Sequence, residues 1–498
     1  MSFIFCQSNF QIDKFYEYPS HSPFFTFDHI NNTAYYFNVY DPRLLEDGKI
    51  LDININGSTF SPLGTYDINP LYKNIYLDSL LSNEFEHKQG DYNYYENTIV
   101  INNKNNNDIS AFLMLHARSQ PRYYTSATKG ISLQNYFLNI SKTYENKIKS
   151  KFSTSFMYHN EDIVVPISSS QVINRFADSY MYGATFDYSF NRFDFNVSYS
   201  SQIMEGNQYL DSNNMIEEFT EWFKFNSKLD YYNNLSFNLN IDYKENNIEF
   251  NSMVDNVKNN FFDIILFNSF NYDNIIFDLG LENLFLDKVI YSPYVNIDYQ
   301  FNKNIRFSYT RKHLNYINNN ENHIRDIIPL QSLIIAYNYK NLLLHFEPFL
   351  YDHYGLRFNL DFDNNIILTN IYSAVYKDSL SGNNTLPLNS FINYSLVISP
   401  PLNSDRFRPF IGFDGTFTHI NNNNLFDPFE FGFINNVEYN SSKIINRLNF
   451  KAGFILDRFK ITFNYLNFLN NDILFTFDDK YESLDNFFSL EVNWQFLD

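Results

Sequence analysis

The sequence predicts an all-β fold, a large antiparallel β-barrel that crosses a membrane, and three observations predict it. Apolar and polar residues alternate along most of the chain in segments of roughly ten residues. Aromatic side chains make up 19% of the residues. Short polar turns alternate with longer polar connections, and helical periodicity is nearly absent. The stretch SYMYGATFDYSFNRFDFNVSYS, Ser179 to Ser200, shows the pattern. Tyr180, Tyr182, Ala184, Phe186, Tyr188 and Phe190 fall on one face, and Met181, Gly183, Thr185, Asp187 and Ser189 on the other. After Asn191 and Arg192 the phase resets, and Phe193, Phe195, Val197 and Tyr199 alternate with Asp194, Asn196 and Ser198. A tight turn between two such runs is a hairpin, each strand of which presents one broad apolar face.

Composition narrows the partners. The chain has 498 residues, 55 Phe, 40 Tyr and a formal net charge of -20. That charge argues against nucleic acid as a partner, because phosphate binding needs basic patches. The single cysteine, Cys6, allows neither an intrachain disulfide nor a cysteine metal cluster. No run approaches the ~18 apolar residues of a transmembrane helix.

Taken in order, residues 1–8 (MSFIFCQS) look like the end of an apolar signal-peptide core followed by a cleavage site, and are expected to be a signal-peptide remnant. Residues 9–107 are less periodic and are expected to form a small separate domain. From residue 108 to 498 the alternation recurs, as in LSFNLNIDYK, VNIDYQF, LRFNLDF, RPFIGFDGTFT, FEFGF and FKITFNY. Tight turns rich in Asn and Asp are expected at 191–192, 232–234, 273–274, 302–304, 340–341 and 363–365. Longer connections are expected at 160–178, 201–217, 245–259, 313–330, 378–385 and 420–427. Brief links near 286 and 353, and the turn at Asp457 and Arg458, are expected as exceptions on the long-loop side. This asymmetry is that of outer-membrane barrels, which have short periplasmic turns and longer extracellular loops. Counting back by parity from a last strand that ends in the periplasm gives roughly 22 strands starting near Asp108, an even number as single-chain bacterial barrels require. The aromatic faces are then lipid-facing. Asp187, Asp194, Lys224, Lys228, Asp230, Asp242, Asp263, Asp278, Glu282, Asp298, Arg306, Arg357, Asp361 and Asp414 are expected to face a polar lumen.

Two segments carry a resemblance. The tail FFSLEVNWQFLD places Phe488, Leu490, Val492, Trp494 and Phe496 on one face, and resembles the C-terminal strand by which the barrel-assembly machinery recognises outer-membrane barrels. In the N-terminal part, Ile50 to Phe85 followed by Gly90 to Lys104 resembles the plug domain of TonB-dependent receptors. Asn56 and Gly57 match the plug's turn. Thr98-Ile99-Val100-Ile101-Asn102 matches the closing strand before the barrel, although Tyr94, Tyr95 and Glu96 stand where that family has small residues. The resemblance implies a bacterial outer-membrane barrel with a degenerate plug. It would contact outer-membrane lipid, move a small solute inward, and couple to an energy-transducing inner-membrane partner. A passive porin, or a non-transporting barrel with an adhesion or assembly role, are the alternatives.

No catalytic, metal or cofactor constellation is assigned and the chain is not expected to be an enzyme. His345 and Glu347 share the polar face of one strand near His353, and His313 and His323 sit in one long connection; solvated lumen or loop positions account for all five. The acidic balance is expected to favour cations or neutral solutes in the lumen. Reversal potentials in a salt gradient should therefore show cation preference, and anion preference would rule this out.

Overall fold

The computed structural model describes the strands named below, the 3₁₀ turn Asp91–Asn93, and the link residues 148, 191–192, 234, 273–274, 303–304, 340–341, 364, 366, 399–400, 457–458 and 468–469. A small hairpin comes first, β1 (Ser58–Ser61) with β2 (Gly64–Asp67). The wall then runs through β3 (Asn83–Gly90), β4 (Tyr94–Lys104), β5 (Ile109–Gln120), β6 (Ile131–Glu145), β7 (Lys149–Ser168), β8 (Gln171–Phe190), β9 (Phe193–Asn207) and β10 (Met215–Tyr232). It continues through β11 (Leu235–Phe250), β12 (Val257–Tyr272), β13 (Ile275–Phe285), β14 (Val289–Asn302), β15 (Ile305–Lys312) and β16 (Leu330–Tyr339). Next come β17 (Leu342–Leu350), β18 (His353–Asp363), β19 (Ile367–Ser379), β20 (Leu388–Ile398) and β21 (Phe407–Ile420). A second small hairpin, β22 (Asn424–Asp427) with β23 (Gly432–Asn435), stands outside the wall, which β24 (Lys443–Leu456), β25 (Phe459–Leu466) and β26 (Phe487–Phe496) complete. Every wall strand pairs antiparallel with the next, and β26 pairs with β3, so 22 strands close into one barrel without an edge.

Tight turns gather at one end. Four of them place their first residue in the left-handed region: Asn191, Asp273, Lys340 and Asp457, with φ of 56°, 49°, 53° and 52°. Asn and Asp tolerate that region because their short side chains bond locally; Lys340 has no such help. At the other end the outward face is edged by tyrosines whose hydroxyls donate to polar neighbours: Tyr158 to Asp178 (3.3 Å), Tyr199 to Glu221 (2.7 Å) and Tyr243 to Glu245 (2.5 Å). A second aromatic belt lies above the tight turns, where Tyr188 stacks on Phe195 at 5.0 Å and Tyr299 on Phe307 at 6.3 Å. From Tyr180 in the first belt to Phe190 in the second is ten residue steps. At ~3.4 Å per residue and a tilt of ~45°, this gives an apolar band of roughly 24 Å, the thickness that outer-membrane barrels present to lipid.

Several expectations are corrected. The barrel begins at Asn83, not near residue 108. Ile99, Val100 and Ile101 lie in β4, a wall strand between β3 and β5, and not in the closing strand of a plug. The reason is visible in β3, NEFEHKQG, whose outward face carries only one large apolar residue, Phe85. Its outward His87 is satisfied by the Asn97 side chain of β4 at 2.8 Å, so the strand carries little hydrophobic signature. Of the FEFGF stretch, Gly432 and Phe433 lie in β23, outside the wall, and the other three residues lie outside the described ones. Asp457 and Arg458 consequently lie at the tight-turn end, where the Gln495 N–H donates to the Arg458 carbonyl at 2.8 Å. Segment 160–178 belongs mostly to β7 and β8, which pair to Ser168 and Gln171, and the connections at 201–217 and 245–259 shorten in the same way. Polar residues there satisfy ladder geometry above the membrane, where water solvates both faces.

Side chains of the two faces are predicted to respond oppositely to charge. Leu279 is outward and mid-band, whereas Ile276 is its luminal neighbour near the turns. Leu279→Arg should lose ~2–4 kcal/mol of stability and Ile276→Arg no more than ~0.5 kcal/mol. Denaturant titration in lipid vesicles, followed by intrinsic fluorescence, measures both.

Candidate functional site: the barrel lumen

The register fixes which residues enter the lumen. Thr185 pairs with Ser153 and Ser198, and the Ser153 and Thr185 hydroxyls hydrogen-bond each other. Asp187 accepts from the Asn196 amide at 2.5 Å, Asp278 from Asn296 at 2.9 Å, and Asp361 from Asn370. Arg306 pairs with Asp298 through two of its nitrogens. The expected luminal residues thus occupy one continuous face. Glycines on that face let large neighbours approach: a Cβ on Gly280 would come within 2.7 Å of the Phe267 backbone, and the Phe267 and Tyr294 rings meet across it at 4.9 Å. The ring of Phe410 closes over Gly453 in the same manner.

Around β21, β24, β25, β26 and β3 the luminal wall is buried and ionic. Lys88, only 2% exposed, lies 3.9 Å from both Glu86 and Glu491. Glu491 also meets Lys460 at 3.7 Å, and Asp414 meets Lys451 at 3.8 Å while accepting from Asn449 at 2.9 Å. The Asn493 amide donates to Glu86 at 3.4 Å across the junction of the first and last wall strands. Buried charges persist only when paired, so this set ties the seam together. Sequence reasoning missed it because β3 was not recognised as a strand; the spacing of Glu86 and Lys88, two apart on one face, was the signal available. Farther round, Glu282 and Glu347 are also buried. His345 shares the luminal face with Glu347, in register with Asn359. Among the described residues no group of three metal-ligating side chains forms. His313, His323, Asn56 and Gly57 lie outside the described residues, as do residues 1–8.

A recess of about 420 Å³ near the tight turns is lined by β6 to β11, with Lys149, Lys151, Asp187, Asp194, Asn196, Asn226, Lys228, Asn238 and Asn240 among its residues. On the outer surface of β26, Phe488, Leu490, Val492, Trp494 and Phe496 all face away from the lumen; Trp494 packs on Phe496 at 5.6 Å and Phe488 stacks on Phe463 at 6.4 Å.

A closed antiparallel barrel with an apolar, aromatic-edged exterior and a polar interior is an outer-membrane β-barrel, and one of 22 strands has the architecture of TonB-dependent-receptor-like proteins. No protein-family model matches the chain and no curated protein matches it in sequence. Solved structures do. The barrel is similar to the FrpB iron transporter from Neisseria meningitidis (F5-1 variant), with a TM-score of 0.63, 10% identity and coverage of 83% of this chain and 82% of that one. It is similar to the siderophore receptor PirA from Acinetobacter baumannii, with a TM-score of 0.60, 10% identity and coverage of 83% and 80%. The ferric yersiniabactin uptake receptor FyuA from Yersinia pestis matches with a TM-score of 0.58, 8% identity and coverage of 84% and 80%. At such identities the likeness is one of fold.

Lys88→Met leaves two buried carboxylates short of a partner and should cost roughly 3 kcal/mol. The loss should appear as a lower temperature at which the barrel unfolds to its slower-migrating form on semi-native gels.

Proposed function

We propose that this protein moves a small solute across the bacterial outer membrane, with the chain before Asn83 serving as a luminal plug and an energy-transducing inner-membrane partner driving the transfer. The burial of the luminal charges carries the reading. Twenty-two strands spaced ~4.8 Å apart and tilted ~40° give a wall roughly 140 Å around and ~44 Å across. Side chains alone do not cover such an opening, yet Lys88, Glu86, Glu282 and Glu347 are at most 3% exposed. That burial supports the reading of a luminal plug. The β1–β2 hairpin, whose first strand lies against β9, belongs to the same N-terminal part. Barrels of 22 strands characteristically hold such a plug. The outward aromatic row of β26 fits recognition by the barrel-assembly machinery.

The domain boundary sets the experiment. A deletion reaching residue 105 would remove β3 and β4 and open the wall, so the deletion must end at residue 82. In planar bilayers the full-length protein should be closed and the variant lacking residues 2–82 should conduct as a large channel. Equal conductance from both would make a passive porin the better account.

A further inference from the structure

We infer that the recess on β6 to β11 near the tight turns is a seat for a neutral, polyhydroxylated solute, a mono- or disaccharide in size and chemistry. The inference rests on the transport reading for its purpose but not for its chemistry. Register lays out the floor. On one rung Lys151, Asp187, Asn196, Asn226 and Asn240 follow one another across β7 to β11. On the rung nearer the turns the order is Lys149, Ser189, Asp194, Lys228 and Asn238. None of these side chains is apolar. The volume, about 420 Å³, lies in the range of small-molecule sites.

Charge balance decides the ligand's class. An acid stands in register with each lysine: Asp187 with Lys151, Glu145 with Lys149, and Asp194 with Lys228, which also lies 3.2 Å from Asp230. A cation or an anion therefore meets both signs and gains no net attraction. Hydrogen bonding is what the floor offers. Lysines donate, carboxylates accept, and serine hydroxyls and asparagine amides do both. The Asn196 amide holds the Asp187 carboxylate at 2.5 Å, which fixes an acceptor in the middle of the floor. These groups recur every ~4.8 Å across the strands and every ~6.8 Å along them, so one sugar ring spans several. Each sugar hydroxyl donates and accepts at once, as the mixed floor requires.

The recess also lies where a solute would leave. Lys149 is exposed and the Lys228 side chain is 48% exposed, so the recess opens on the tight-turn end. On the next rung inward Ser141, Ser153 and Thr185 are at most 5% exposed. Their hydroxyls are engaged, Ser141 with Ser110 at 2.5 Å and Ser153 with Thr185. The open floor therefore ends where the covered lumen begins.

Saturation-transfer NMR of the full-length protein in phosphocholine micelles tests the inference, with sucrose, citrate and spermidine as probes. Sucrose should receive saturation, and neither citrate nor spermidine should displace it. Asn226→Leu/Asn240→Leu should bind sucrose about tenfold more weakly. Asn226→Gln/Asn240→Gln keeps both amides and should bind within about threefold of the parent, which separates lost hydrogen bonding from lost fold. Asp187→Asn keeps an acceptor without the charge and should also stay within about threefold. Absence of sucrose binding, equal affinity in the leucine variant, or an equal loss in the glutamine and leucine variants overturns the seat. Displacement by citrate or spermidine, or a tenfold loss in Asp187→Asn, marks a charge-dependent seat and overturns the neutral one. If the seat fails while removal of residues 2–82 opens the channel, transport stands without it. If sucrose binds but conductance is the same with and without residues 2–82, the plugged-transporter reading falls and the seat stands.

Discussion

Closure of the backbone ladder is the constraint on which the rest of this structure depends. In hydrocarbon an unpaired N–H or C=O costs several kcal/mol, so a sheet can cross a membrane only if its last strand pairs with its first. Here that pairing joins β26 to β3, residues about four hundred positions apart in sequence. The Asp91 carboxylate, in the turn between β3 and β4, accepts the Phe488 N–H at 2.7 Å and fixes the same junction at its loop end. The even strand number, the antiparallel order and the strict alternation of faces all follow from having no edge.

The two faces then obey different solvents. Outward, lipid accepts any apolar surface, so the wall is dense in Phe and Tyr, and the tyrosines sit where a hydroxyl can leave hydrocarbon for a carboxylate or water. Inward, the wall is polar, and wherever it is buried each charge needs a partner. The seam meets that demand with lysines shared between carboxylates.

Backbone approach sets a third demand. Glycine is scarce in this chain, 14 residues in all. Gly280 and Gly453 fall where a neighbouring strand's aromatic ring folds down over the luminal backbone, which gives a wide sheet local luminal packing without a conventional core.

The sequence by itself determined the class: alternation with period two, an aromatic-rich face and one-sided turns admit a membrane barrel and little else. It also determined which residues of β8 to β21 face lipid, because Tyr180 or Asp278 is assigned by parity within its own strand. Only the tertiary structure decided where the barrel starts and how its lumen is wired. NEFEHKQG has too few apolar residues to announce a strand, and becomes one because β26 and β4 supply its partners. The alternating run FEFGF ends in Gly432 and Phe433, which pair with β22 outside the wall, since period two records a strand's faces but not its neighbours. Lys88 and Glu491 are separated by most of the chain, and no local pattern marks them as a pair. Local periodicity reports what each strand's two faces touch, whereas closure, register and charge pairing are non-local contacts that exist only once the ladder has met itself.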